Sequence, residues 1–137
     1  DQWNLSKDER TIFTEKLNEL LPSDTVISAD YGTINYLLKG KSNVYMFENP
    51  FRPDYFGVYD VCEGSKHPLT KLPKADIVIL RDDYHPTETG KNALNSYEHL
   101  KVPLMDGKYF MHIYLNPLGL KYTLLKGISL SIGAIIQ

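Results

Sequence analysis

Acidic side chains follow three apolar runs of this chain, and carboxylates in such positions can do chemistry. The runs 26–29, 43–47 and 76–80 are short and apolar, which predicts three strands. The acidic residues directly after them are Asp30, Glu48, Asp82 and Asp83. If the strands are parallel, these carboxylates gather at one sheet edge, where two of them can bind a cation or divide acid and base roles. Asp also caps helices and solvates loops after strands, and this capping interpretation is preferred over the chemical one.

Candidate ligand-binding residues lie in the two segments that follow the first and third predicted strands. They are Asp30, Tyr31, Thr33, Asp82, Asp83 and His85. Free backbone N–H groups at the start of the helix near Thr33 can hold an anion, although Thr33 or Asp30 can equally act as an ordinary cap. The segment matches neither a dinucleotide-binding glycine motif nor a phosphate-binding loop.

The remaining histidines and the cysteine show no catalytic or metal-binding spacing. His99 and His112 are interpreted as structural side chains, and Cys62 has no CxxC partner. We therefore assign no catalytic residue, no metal site and no cofactor.

A second candidate surface lies in the proline-rich segment 48–73, which is predicted as a long loop. The residues expected to contact a partner there are Phe51, Arg52, Tyr55, Phe56 and Tyr59. Aromatic side chains beside an arginine are enriched in binding hot spots. The alternative is that the rings fold back into a satellite core, and exposure of at least two of the four rings would favour the contact surface.

The elements that position these residues alternate between helix and strand. A capping box at 6–9 predicts the start of a first helix that runs to about Leu21, and further helices are predicted at 33–38 and 88–100. Alternation predicts a strand at 128–133, and Asp106-Gly107 predicts a hairpin between 102–105 and 108–115. This order predicts an α/β fold, a small Rossmann-like three-layer domain with a mainly parallel central sheet and a C-terminal antiparallel hairpin.

Composition agrees with one small domain over 1–137. The 15 basic and 17 acidic residues give a net charge of -2 and are interspersed, which argues against a nucleic-acid or polybasic membrane surface. One cysteine excludes an internal disulfide. The apolar segment 118–137 is interrupted by Lys121 and Lys126 and is too short to span a bilayer. Because the chain begins at Asp1, we expect a soluble domain excised from a longer protein.

The pattern of elements resembles a known group of proteins. It consists of a helix that ends at Leu21-Pro22, strands at 26–30, 44–47 and 75–80, a helix that carries 36–38, and a strand–turn–strand ending over 100–114. This succession looks like the soluble C-terminal domain of polytopic bacterial membrane proteins related to the GT-C type glycosyltransferases. The segments 48–73 and 118–137 depart from that pattern.

The resemblance implies an accessory domain at the extracytoplasmic face of a bacterial membrane, contributing recognition or stability rather than catalysis. Its expected partners are the membrane-spanning portion of its own parent chain and a sugar or lipid-linked sugar. In such proteins the catalytic acidic residues belong to the membrane portion, so none is transferred to this chain. The alternative is a free-standing small α/β enzyme or nucleotide- or sugar-binding domain that uses the acidic strand ends.

Overall fold

The computed structural model describes residues 9–34, 44–48, 56–60, 65–69, 75–104 and 107–136. The helices in these ranges are α1 (Glu9–Leu20), α2 (Tyr31–Ile34), α3 (Glu88–Leu94) and α4 (Tyr122–Ile136). The strands are β1 (Ile27–Ala29), β2 (Val44–Met46), β3 (Phe56–Asp60), β4 (Ser65–Leu69), β5 (Ile77–Arg81), β6 (Glu98–Leu104) and β7 (Tyr109–Leu115).

Five strands form one sheet in the order β2-β1-β5-β7-β6. Strand β1 pairs in parallel with β2 and with β5, so the three strands predicted to share a parallel arrangement do so. Strand β7 is antiparallel to both β5 and β6. The fold is thus α/β as predicted, but the prediction of a mainly parallel sheet is wrong: the sheet is mixed, because the β6–β7 hairpin joins the edge of β5 rather than lying apart.

Side chains that alternate between the two faces of the sheet pack into two apolar cores. Ile77 and Ile79 of β5 face the core that α1 and α4 cover, which also contains Phe13 and Leu125. Val78 and Leu80 face the opposite core, where Leu94 of α3 and Phe47 pack. Described helices therefore cover both faces of the sheet. The second face is less extensively covered, because α3 is short.

The hairpin between β6 and β7 is confirmed. Leu104 pairs with Tyr109 across the turn, and Gly107 adopts a φ of 81°, a conformation that glycine takes without the steric cost paid by other residues. The helix predicted at 88–100 is shorter than expected, because α3 ends at Leu94 and β6 begins at Glu98. The apolar residues at 93, 94, 97 and 100 fit a helical period, yet the pairing of Glu98 with Leu115 extends the second half of that run as a strand.

The strand predicted at 128–133 is wrong, since these residues belong to helix α4. The alternation of Ile128, Leu130 and Ile132 is coincidental. The buried side chains of α4 follow helical spacing, at Leu125, Ser129 and Ile132. The Ser129 hydroxyl donates to the carbonyl of Leu125 at 2.8 Å, which satisfies this buried polar group inside the helix.

The prediction of an unstructured loop over 48–73 is also wrong in part. Strands β3 and β4 form a separate antiparallel pair in which Phe56 is opposite Leu69 and Asp60 is opposite Ser65. Helix α2 spans Tyr31–Ile34, and the predicted remainder at 35–38 lies outside the described residues.

Candidate functional site

Asp30, the first candidate at the strand ends, is a buried structural carboxylate. One of its oxygens accepts from the Thr33 hydroxyl at 2.6 Å and from the Arg81 backbone N–H at 3.1 Å, and the other accepts from the Thr33 N–H at 3.2 Å. The side chain is 3% exposed. Asp30 thus caps α2 and connects the end of β1 to β5, which is the capping interpretation of the sequence.

Asp82 and Asp83, after β5, are neutralised by arginine. Arg10 of α1 donates to Asp82 at 2.7 Å and lies 3.3 Å from Asp83, while Arg81 lies 3.5 Å from Asp83. These ion pairs connect the end of β5 to the first helix. His85, two residues further along, is exposed, as is the Tyr31 ring at the start of α2.

Glu48 is buried beneath the N-terminus of α3. It accepts hydrogen bonds from the Tyr84 hydroxyl and from the Thr87 hydroxyl and N–H group. A Cβ on Gly90 would lie 2.7 Å from a Glu48 oxygen, so glycine leaves room for the carboxylate. Burial, and then the hydrogen bond to Glu48, raise the pKa of the Tyr84 phenol. The carboxylate therefore secures the end of β2 to α3 and its preceding loop.

The acidic strand ends therefore do not converge on one open site. Each buried carboxylate caps or joins neighbouring elements, and within the ranges that the structure describes no group of three His, Cys, Asp or Glu side chains could hold a metal ion.

An open groove lies instead where α3 stops and the sheet continues. Its volume is about 410 Å³, within the range of small-molecule sites. Side chains from α3, the following turn, β6 and β7 line it: Pro86, Lys91, Leu94, Asn95, Tyr97, His99 and Tyr114. The described part of the lining combines aromatic rings with amide, ammonium and imidazole groups and contains no carboxylate.

The wall of the groove on the sheet side is a stack of aromatic rings. His99 of β6 and Tyr114 of β7 are opposite each other in the strand register, and their rings are parallel with centroids 4.4 Å apart. Beyond His99, the ring nitrogens His99 Nε2 and His112 Nδ1 are 2.7 Å apart, a hydrogen bond in which one imidazole donates to the other. The edge of Phe110 meets His112, and Lys101 Nζ lies 4.0 Å from the centre of the Phe110 ring.

The environment of the two histidines favours their neutral forms. Partial burial, and then the positive charge of Lys101, lower the pKa of His99. Partial burial, and then His99 and Lys101, lower the pKa of His112, while Asp82 opposes this shift. The lowered pKa values favour neutral imidazoles, one of which donates to the other.

Comparison with protein-family models, curated proteins and solved structures finds no match. Among the helices that the structure describes, none is both long and apolar enough to cross a bilayer. The groove and the strand ends must therefore be interpreted from their own chemistry.

The sequence analysis missed the groove. It placed His99 in a helix and treated His112 as a structural residue, whereas the two lie on adjacent strands with their rings in contact. Alternation along β7, with Phe110, His112 and Tyr114 on one face and Met111, Ile113 and Leu115 on the other, was the signal that could have revealed an aromatic surface.

The predicted partner surface remains a prediction. Phe51, Arg52 and Tyr55 lie outside the described residues. Phe56 and Tyr59 lie on β3, opposite Leu69 and Lys66, and their side chains are outside the part of the chain that the structure describes.

Proposed function

We propose that this chain is an accessory recognition domain of a membrane-embedded, glycosyltransferase-like protein, and that it binds a sugar in the groove between α3 and the β6–β7 hairpin. It acts at the extracytoplasmic face of the membrane, where it contributes recognition or stability rather than turnover.

The observation that carries the proposal is the composition of the groove. The apolar faces of a sugar ring pack on aromatic side chains, and Tyr97 and Tyr114 supply aromatic surface to the groove. Sugar hydroxyl groups need donors and acceptors at the rim, and the Asn95 amide and Lys91 ammonium group supply them. Recognition sites of this kind combine a mostly apolar lining with a few polar groups.

The roles of the acidic residues support recognition over the enzyme alternative. A strand-end active site needs carboxylates that are free to reach a substrate. Asp30 instead uses both oxygens within the fold, and Asp82 pairs with Arg10. The proposal of a membrane-embedded parent protein at the extracytoplasmic face is supported by the resemblance of the element pattern.

The same proposal includes a Rossmann-like origin for the fold. The parallel half β2-β1-β5, with helices on both faces of the sheet, supports a Rossmann-like origin to which the β6–β7 hairpin has been added. In this arrangement the groove is formed where the added hairpin meets α3 and the segments that flank it.

Nuclear magnetic resonance tests the binding role directly. Methyl glucoside, methyl mannoside and glucose 1-phosphate are titrated into the labelled chain, and we expect shifts at Asn95, His99 and Tyr114. Shifts confined to Tyr31, Asp82 and His85 would favour the strand-end alternative, and no shift with any sugar would refute the recognition role.

Two further measurements test the rest of the proposal. The full-length gene should encode several apolar spans of about twenty residues. The chain should also give no turnover of nucleotide sugars or polyprenyl-phosphate sugars above the blank. Turnover that disappears in Asp30→Ala or Asp82→Ala, while those variants remain folded, would establish the enzyme alternative.

A further inference from the structure

We infer that the groove takes a sugar that carries a phosphate group, and that binding is coupled to proton uptake by the His99–His112 pair. This inference rests on the recognition role proposed above and names its ligand class.

Charge around the groove favours an anion. Lys91 lies on the rim, and Lys101 lies two residues beyond His99 on the same face of β6. Lys91 is only loosely paired with Glu88, at 3.8 Å on the exposed side of α3. Among the described residues no carboxylate lines the groove, so Lys91 attracts a negatively charged group that enters it.

The histidine pair gives this anion a proton donor. In the neutral pair each ring carries one N–H, and one of these forms the 2.7 Å hydrogen bond, so one additional proton would convert the pair to a cation beside the groove. In the free protein that cation is opposed by partial burial and by Lys101. A phosphate adds a negative charge next to His99 and reverses this balance, which raises the affinity of the pair for a proton.

The charged and titratable groups around the pair come from three strands or their ends and from the rim of the groove. Lys101 on β6 opposes the second proton, Asp82 at the end of β5 favours it, and the phenol of Tyr114 on β7 is neutral near pH 7. Lys91 on α3 supplies a further positive charge to the groove lining. The negative charge of a bound phosphate therefore favours the protonated form of the pair.

The sign of the pH dependence follows from this coupling. Between the pKa of the free pair and the higher pKa of the complex, the complex holds a proton that the free protein lacks. Affinity therefore falls as pH rises through this window, by at most about tenfold per pH unit for one proton. Above and below the window affinity is independent of pH.

The test uses calorimetry with three ligands: the methyl diester of glucose 1-phosphate, neutral methyl glucoside and inorganic phosphate. The diester is chosen because its single charge is constant between pH 5 and 8, whereas a phosphate monoester titrates near pH 6. We expect the diester to bind at least tenfold more tightly than methyl glucoside or inorganic phosphate at pH 5.5, and its affinity to fall between pH 5.5 and 7.5. A short-chain isoprenyl phosphoglucose distinguishes a lipid-linked source of the same chemistry, since only that source predicts tighter binding than the methyl diester.

Matched variants assign the proton. His99→Phe keeps a ring stacked on Tyr114 but removes the imidazole, so we expect it to abolish the pH dependence of diester binding. Lys101→Gln, at an exposed position of β6, should weaken the diester and leave methyl glucoside unchanged. Lys16→Gln, on the exposed side of α1, is the control and should change neither.

The two proposals fail differently. Equal affinity for methyl glucoside and the diester, with no pH dependence, would overturn this inference while leaving sugar recognition intact. Equal affinity for inorganic phosphate and the diester would also overturn it, because the sugar would then contribute nothing. Binding of none of the ligands would overturn both proposals.

Discussion

Buried carboxylates in this chain act as connectors between elements. Asp30 receives hydrogen bonds from the start of α2 and from β5, and Glu48 receives them from Tyr84 and Thr87 ahead of α3. A buried charge requires such partners, because an unpaired one costs far more than an exposed one. The hydrogen bonds by which Asp30 and Glu48 connect neighbouring elements therefore explain why these strand ends are acidic.

Asp30→Ala should destabilise the chain by about 2–4 kcal/mol, because it removes the carboxylate that accepts from the buried Thr33 hydroxyl and from the Arg81 N–H. Urea denaturation measures the loss. Asp24→Ala is the control: Asp24 is exposed and pairs with Lys121 at 3.3 Å, so its removal should cost no more than about 1 kcal/mol. Equal stability of Asp30→Ala and the parent chain would refute the capping role.

Tyr84 should make the fold sensitive to alkali. Its raised pKa means that the folded chain retains a phenol proton that the unfolded chain loses above the ordinary value of 10.0, so its contribution to stability declines as pH rises past 10. Tyr84→Phe should remove part of the difference in unfolding free energy between pH 8 and pH 11. Tyr31→Phe, on an exposed ring, should retain it. The account fails here if the two variants show the same alkaline loss.

Among the helices and strands, the sequence predicts those whose structure depends on residues close to them in the chain. Strands β1, β2 and β5 fall on the runs predicted at 26–29, 43–47 and 76–80, and the turn at Gly107 closes the predicted hairpin, because apolar runs and turn residues act over a few positions. The start of β6 is determined by its pairing with β7, and the helical state of 128–133 by packing on the sheet. Such long-range contacts leave no local signal. The groove was missed for the same reason, since it depends on how far α3 extends over the sheet.

Helix α4 offers a direct test of this assignment through two glycines in one element. A Cβ on Gly127 would meet no atom within 4 Å, so Gly127→Ala should stabilise the chain by about 0.5–1 kcal/mol through helix propensity.

A Cβ on Gly133 would overlap the Val102 side chain, so Gly133→Ala should destabilise the chain by about 1–3 kcal/mol. Thermal denaturation of both variants gives the comparison. Changes of the same sign in the two would contradict the packing of α4 against β6.

Among the residues that the structure describes, exposed leucines concentrate around α4. Leu118 and Leu120 precede the helix and are 88% and 106% exposed, and Leu124 and Leu130 are about half exposed. Replacement of Leu120 and Leu124 by Ser should therefore shorten retention on a hydrophobic column and leave the melting temperature within about 2 °C. Leu125→Ser is the contrast, because Leu125 is fully buried and its replacement should unfold or strongly destabilise the chain.

In the part of the chain that the structure describes, a network of buried and paired charges is distinct from an open aromatic groove. The strand ends and α1 form a network of caps and ion pairs, while the uncovered part of the sheet beside α3 presents aromatic and basic side chains. The central claim is that ligands bind at this uncovered face, on the β6–β7 hairpin, and not at the strand ends.

Saturation-transfer NMR with the methyl diester of glucose 1-phosphate, on the variants Tyr114→Ala and Tyr31→Ala, tests this claim most directly. Tyr114 lines the groove, and Tyr31 is the exposed aromatic residue at the strand ends. We predict that saturation transfer to the sugar protons is lost in folded Tyr114→Ala and retained in Tyr31→Ala. Transfer that persists in Tyr114→Ala and disappears in Tyr31→Ala would contradict the account and place recognition at the strand ends.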